Sequence, residues 1–366
     1  HLSAKTRTRS APPAMAAPAA NFPEFGITRK FGLEYEMGFP AELGDVNNIC
    51  ARLRQASGQD VQCPSTQYGR HVHVVTPYWK IVPDPSVRVG GGTASWELVS
   101  PILTGQDGLD KMTAMLRAAE GLGAKVNKTG GHHVHIDALD LNVDQIKKVC
   151  AAYIVYEKAF DLLTSRSRQG DENQWCKSNQ GRLIAAGGGS LEAGLRRLMQ
   201  ATTKEAVVAI VNPQMGNGAR YHKLNLTNLI GGNGHGTIEF RMHQATDEWL
   251  KSRNWVEFIQ RFAQSALTKD PLSPADVPVH ESPAKLWLHM MHKMVNRAHL
   301  TAFFWKRICE LDSRDRMHGM PRIVRSTTTE REQVRANGYN ALSDAAAAPR
   351  PQSARPAAGA APIALD

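Results

Sequence analysis

The sequence is poor in cysteine, and none of its five cysteines (Cys50, Cys63, Cys150, Cys176, Cys309) forms a CxxC pair. An odd number at wide spacing argues against a disulfide framework and for a reducing compartment, so a cytoplasmic location is expected. No run of eighteen apolar residues occurs, which excludes a membrane-spanning apolar helix. Residues 1–20 are basic and rich in Ala and Pro but lack the apolar core of a secretory signal; Met15 is expected as a start. No GxxxxGK[ST] loop is present. Gly90, Gly91 and Gly92 read as a hairpin turn, and Gly187, Gly188 and Gly189 as a flexible loop before a helix. The chain is basic, at net +10, yet no Lys/Arg run is interleaved with aromatics. The charge therefore points to an anionic small ligand such as a nucleotide rather than to nucleic acid.

What the sequence does contain is ordinary globular composition over 366 residues, enough for a sizeable core without staples. The ends are low in complexity. Residues 1–24 and 312–366 are expected to be disordered, and residues 25–311 to form one folded domain. Within it, residues 166–220 match no recognisable pattern and are read as a lid or specificity insert. Residues 284–311 are read as a C-terminal helical pair. Leu286, Met290 and Met294 of that pair are expected in the core, and nothing signals for or against self-association.

Period-2 alternation predicts strands at 31–37, 71–75, 95–99, 133–137, 221–227 and 237–243. Helical periodicity predicts helices at 109–122, at 143–163 with Asn142 as N-cap, and at 247–267 with Thr246 as cap. This mixture implies an α+β fold, with a mainly antiparallel sheet backed by helices.

In a strand, residues i and i+2 share a face. In FGLEYEM, Phe31, Leu33, Tyr35 and Met37 point one way, and Glu34 and Glu36 the other. The same rule sets His133, His135 and Asp137 against Val134 and Ile136, and Ser95 and Glu97 against Trp96 and Leu98. It sets Lys223, Asn225 and Thr227 against Leu224 and Leu226, and Glu239, Arg241 and His243 against Ile238, Phe240 and Met242. Taken singly, each polar pair also fits a solvated strand face or a cross-strand ion pair. Taken together, five strands share one grammar, with an apolar face for packing and a face of carboxylates, imidazoles and cations. Clustered carboxylates repel and need a cation to coexist. Hard oxygen ligands favour Mg2+ or Mn2+. The planar fork of Arg241 suits phosphate or carboxylate oxygens. The pattern describes a site for a metal-bound polyphosphate. His71 and His73 repeat the His-x-His spacing without a nearby carboxylate and are read as structural.

The ordered set FGLEYE, DPS (Asp84, Pro85, Ser86), WELVSP, GGHHVHID, KLNL and TIEFRMHQAT resembles the putative amidoligase family, a branch of the glutamine synthetase-like carboxylate–amine ligases. The resemblance spans roughly residues 31–246. It implies a curved, mainly antiparallel sheet with helices on its outer face, like a glutamine synthetase catalytic domain. It also implies an ATP-dependent ligase that makes an amide through an acyl phosphate from a small-molecule or peptide carboxylate and an amine. By the same analogy Glu34, Glu36, Glu97 and Glu239 would hold Mg2+ or Mn2+. His133, His135, Lys223, Asn225 and Arg241 would contact nucleotide, phosphate or substrate. Arg241, Glu239 and His135 would be catalytic. The family often has a cysteine where this chain has Gly130. Two rivals stand beside this reading: a metal-dependent hydrolase of the amidohydrolase kind, which also uses a strand-borne His-x-His, and a non-catalytic nucleotide-binding relative.

Overall fold

The computed structural model describes residues 25–64, 74–171, 173–214, 218–231, 235–268 and 282–317. The expected strand at 71–75, with His71 and His73, lies mostly outside them, as does the expected disordered segment 1–24; of the expected disordered tail 312–366, residues 312–317 are helical and the rest lies outside. The alternation in FGLEYEMGFP builds the central strand β1 (Phe31–Pro40). Its apolar set, from Phe31 to Phe39 at every second residue, is at most 2% exposed. Two neighbours flank β1 antiparallel: β4 (Thr93–Val99) and β5 (Gly131–Asp137). The sheet continues through β2 (Val61–Gln62) and β3 (Trp79–Pro83) on one side, and β7 (Thr237–Gln244) and β6 (Leu224–Asn225) on the other. Its order is β2-β3-β4-β1-β5-β7-β6, with β2–β3 parallel and the other neighbours antiparallel. The fold is thus α+β, built on an unclosed, mixed seven-stranded sheet. Gly90, Gly91 and Gly92, all at positive φ, sit in the β3–β4 connection, where a residue with a Cβ would be strained.

Helices cover the apolar face. They include α1 (Val46–Ser57), α2 (Gly105–Gly121) and α3 (Val143–Leu163). α3 has the bounds that its periodicity predicts. Asn142 accepts from Gln145 N–H, while the Gln145 side chain accepts from Asn142 N–H, a reciprocal capping box. Residues 166–220 carry three short helices, α4 (Asn179–Ala186), α5 (Leu191–Met199) and α6 (Lys204–Val211), started by Ser178, Ser190 and Thr203. All three pack on α3. Next come α7 (Trp249–Thr268), α8 (Pro283–Met290), a π-helical turn (Met291–Val295) and α9 (Ala298–Met317), which runs past Leu311. Phe160 on α3 meets Trp255, Phe258 and Phe262 on α7 edge-on, and Tyr153 meets Phe240 of β7. Leu286, Met290 and Met294 are buried in this same core.

Two side chains depart from strict alternation. A bulge in the β5–β7 ladder, between His132 and Val134, makes two β7 residues face one on β5. Such a bulge shifts the phase of side chains beyond it. His243 therefore lies on the helix side rather than beside Glu239 and Arg241. It is buried against His132 and Trp255, with ring centroids 5.6 and 4.7 Å away.

The second departure is Lys223, expected at the nucleotide. The chain bends at Lys223 before β6 begins, and its side chain turns into the helical layer. There it is fully buried, with Nζ 2.6 Å from Asp161 Oδ1 and 3.3 Å from Glu157 Oε1. Those carboxylates also accept from Gly170 N–H (2.9 Å) and Gln180 N–H (2.8 Å), which ties the start of the 166–220 segment to α3. Lys223→Met strips a buried charge cluster of its cation. It should cost about 3–5 kcal/mol of unfolding free energy in a denaturant titration. A Lys223 that served substrate alone would leave that value unchanged.

Candidate active site

Register assembles the polar face. Glu34 on β1 lies opposite His133 on β5, and Glu36 opposite Glu97 on β4. His135 lies opposite Glu239 on β7, and Glu239 opposite Asn225 on β6. Directly paired residues point to the same side, so five adjacent strands each contribute to one row. His133 Nδ1 is 2.9 Å from Glu34 Oε2 and 3.6 Å from Glu239 Oε1, and its Nε2 is 3.5 Å from Glu36 Oε1. His135 Nε2 is 3.1 Å from Glu34 Oε1 and 3.8 Å from Glu239 Oε1. It is buried and makes no aligned hydrogen bond. Its Nδ1 meets Thr237 Oγ1 at 3.1 Å.

Glu239 is held at both oxygens. Arg241 Nη1 donates to Oε1, and Asn225 Nδ2 (2.7 Å) and Asn228 Nδ2 (3.3 Å) donate to Oε2. Glu36 Oε2 accepts from Gly131 N–H at 2.6 Å. Gly130 is sterically required at this turn, whereas a side chain at Gly131 would push the ends of two site residues aside. A Cβ at Gly130 would lie 2.8 Å from the Glu36 carbonyl oxygen and 2.9 Å from Ala245 Cβ. At Gly131 it would lie 2.7 Å from His133 Nε2 and 3.1 Å from Arg168 Nη2. The close approach of β5 to β1 and β7 leaves no room for the cysteine that the family often has at Gly130.

Charge in this row is unevenly matched. Burial alone would raise the Glu34 carboxyl, but His135 and His133 outweigh it and hold it well below the usual carboxylate range. Burial opposes ionisation of Glu239 too, yet Arg241 and His135 bring it to about 2. His135 is raised because Glu34 and Glu239 overcome its burial. Glu97 goes the other way: burial, then Glu34, Glu36 and Asp84, push it well above the usual range. This crowding of acids is what a cation would relieve.

Among the described residues, three sets of side chains could grip a metal ion, each with ligand atoms within 4.8 Å of one another. They are Glu34, His135 and Glu239; Glu34, Glu97 and His133; and Glu36, Asp84 and Glu97. The Nε2 of His135, facing Glu34 Oε1 at 3.1 Å, suits such a role. The all-oxygen set fits Mg2+ chemistry, and the imidazole-bearing sets also accept Mn2+ or Zn2+.

The row floors a cleft with two unlike ends that share Glu34 and Glu97. One end, a cavity of about 180 Å³, is lined by Val74, Val75, Val99, Ile102 and Leu139, with Lys80 at its floor. Val74, Val75, Ile102 and Leu139 are all more than half exposed, so they form an apolar mouth. The other end, of about 240 Å³, is lined by Asp84, Ser86, Thr129, Arg168, Trp175, Arg220, Tyr221 and Arg241.

Of the expected residues, Glu34, Glu36, Glu97, His133, His135, Asn225, Glu239 and Arg241 come together, and Lys223 does not. The alternation rule missed Lys80, Asp84, Asn228, Arg168 and Arg220 as site residues. Lys80 left one trace: a lone cation inside the apolar run WKIV, where a buried charge needs a partner. Its Nζ donates to the Val74 carbonyl at 2.7 Å. Burial pulls its ammonium down, against Glu97 and Glu34. Asp84 was visible within DPS but not as part of the face. None of the five cysteines is in a disulfide, and among the described residues no helix is long and apolar enough to cross a membrane.

Compared with known families, residues 27–263 match the family model described as putative amidoligase enzyme. No curated protein matches the chain.

Proposed function

The chain belongs to the putative amidoligase family, and from that premise we propose that it joins a carboxylate to an amine at the expense of ATP, with Mg2+ or Mn2+. The observation that carries this reading is the single row of Glu34, Glu36, Glu97, His133, His135, Glu239 and Arg241, which together with Asp84 offers three overlapping metal-ligand sets beside an arginine edge. The glutamine synthetase-like architecture belongs to the same proposal. Its support is the helix-backed sheet with acids on the open face.

Glu36, Asp84 and Glu97 would hold a hard cation through oxygen alone, and Glu34, His135 and Glu239 a second. Such ions would draw charge from the polyphosphate as it is cleaved. The apolar mouth at Val74, Val75, Ile102 and Leu139 suits a nucleotide base. Lys80 and Arg241 flank the carboxylates from either end and suit phosphate oxygens.

In the first step a carboxylate oxygen of the acid attacks the γ-phosphorus. The bond from phosphorus to the bridging oxygen breaks, and ADP leaves an acyl phosphate. In the second, the amine nitrogen attacks the acyl carbon, phosphate departs and the amine gives up a proton. Positioning and charge neutralisation supply most of the acceleration in such chemistry. Asn225 and Asn228 hold Glu239, and Arg241 neutralises it, so the row is set before substrate arrives.

The test is an ADP-release screen of acids against amines with Mg2+ and with Mn2+. ADP and phosphate should appear only when both an acid and an amine are present. The imidazole-bearing sets also suit zinc, which keeps a hydrolase as the second reading. Zinc-dependent amide hydrolysis with no ATP binding would establish that reading instead.

A further inference from the structure

Two cysteines far apart in sequence meet where α1 packs on the edge of the sheet, and neither lines the cleft. Val46, Ile49, Cys50 and Leu53 recur at helical spacing and form the buried face of α1. The edge strand β2 lies against that helix, and Arg54 Nη2 donates to the Val61 carbonyl at 2.5 Å. Cys63, the next residue after β2, is thereby carried to the middle of α1. Its Sγ donates to Asn47 Oδ1 at 2.9 Å. Asn47 and Cys50 are three residues apart in the helix, hence neighbours on one side of it. The Cys63 thiol also lies within hydrogen-bond reach of the Cys50 thiol. Cys50 is 2% exposed, whereas Cys63 is only half-buried, so one member of the pair is open to solvent and the other lies in the core behind it. Neither is in a disulfide. Gln62, immediately before Cys63, pairs with Lys80 of β3, the cation at the floor of the apolar end of the cleft.

We infer that Cys50 and Cys63 form a redox-active dithiol, closed to a disulfide by a small disulfide oxidant, and that the closed form locks the edge of the sheet, β2 with β3, onto α1. Thiols already in contact can bond with little backbone movement. The difference in exposure sets the order of events. The accessible Cys63, as thiolate, attacks one sulfur of the oxidant; the oxidant's disulfide breaks, a mixed disulfide forms and one small thiolate leaves. Cys50 then gives its proton to solvent and attacks Cys63 Sγ, and the second small thiolate departs. Two electrons pass from the protein dithiol to the oxidant, which ends as two thiols. Burial, then Cys63 beside it, push the Cys50 thiol well above the usual thiol range, so Cys50 resolves rather than initiates. In a reducing compartment such a bond is transient. Cys150 and Cys176 are buried and Cys309 is exposed on α9, which makes Cys309 an internal control for plain surface reactivity. This inference is independent of the ligase reading, and none of its readouts is turnover.

The test treats the folded full chain with glutathione disulfide, quenches it by alkylation, and maps non-reduced tryptic peptides by mass spectrometry. Trypsin cuts between the two cysteines at Arg52 and Arg54, so the bond joins peptide 31–52 to peptide 55–70. That joined species should accumulate and vanish on reduction, while Cys309 stops at the glutathione adduct. Cys50→Ser should leave Cys63 as the glutathione adduct. Cys63→Ser, at the half-buried position, should leave Cys50 unmodified. Hydrogen exchange of the oxidised chain should slow about tenfold over residues 61–62 and 79–83 and stay unchanged over β5 and β7. Cys63→Ser should abolish that slowing. A wild-type Cys63 that stops at the glutathione adduct, bonds to another cysteine, or reacts only after unfolding would overturn the dithiol. A joined peptide with unchanged exchange at β2 and β3 would overturn the lock.

Discussion

Glu34→Gln should lower turnover by about three orders of magnitude, equivalent to roughly 4 kcal/mol of transition-state stabilisation. Glu34 belongs to two of the three metal-ligand sets, and its two oxygens face His133 and His135. The amide has nearly the shape of the carboxylate, so packing is kept and only the charge is lost. The thermal midpoint should move little, because the side chain is partly open to the cleft. Affinity for Mn2+, followed by calorimetry, should fall together with turnover. A variant that keeps wild-type turnover, or one that loses turnover while binding Mn2+ as tightly, would remove Glu34 from the ligand set. Glu97 gives the useful contrast. It also belongs to two sets, but burial and three neighbouring acids resist its ionisation. Its role as a ligand depends on the cation more strongly than that of Glu34.

The second large effect is expected at Arg241. Both Arg241→Lys and Arg241→Met should reduce kcat by two to four orders of magnitude, as for removal of a preorganised group that meets developing charge. Lysine should not rescue, because a single ammonium cannot hold Glu239 and also present a planar edge to phosphate. Arg241 donates to Glu239 Oε1 while its remaining edge lines the Arg-rich end of the cleft. Burial works against the guanidinium charge, but Glu239, Glu34 and Glu36 more than restore it, so it stays charged throughout the working pH range. In Arg241→Met, Glu239 keeps Asn225 and Asn228 but loses its counter-charge, so a fall in stability should accompany the loss of rate. Arg241→Lys separates the two effects. Wild-type turnover in the lysine variant, measured by ADP release, would show that charge alone is required at this position.

The two predictions meet in one structural fact: Glu239 is gripped on every side before any ligand binds. Asn225 and Asn228 come from β6 and the turn after it, and Arg241 comes from the same strand as Glu239. Substitutions there disturb a preset geometry. A preset geometry predicts losses in kcat rather than in KM for substitutions in the row.

The sequence by itself determined which residues share a face wherever strands are regular. Period-2 alternation in FGLEYEM, HHVHID and TIEFR separates apolar from polar positions without knowledge of partners, because side-chain direction in a strand is local. It likewise determined α3, whose cap and periodicity are local too. Tertiary structure decided the rest. Strand order brings β4, β1, β5, β7 and β6 side by side, and only then do Glu97, Glu34, His135, Glu239 and Asn225 form a row. A bulge moved His243 to the helix side, and a bend sent Lys223 to Asp161 and Glu157. Lys80, Asp84, Arg168 and Arg220 reach the cleft from β3, a turn and the 166–220 segment. Their positions are set by long-range packing, which no local period encodes.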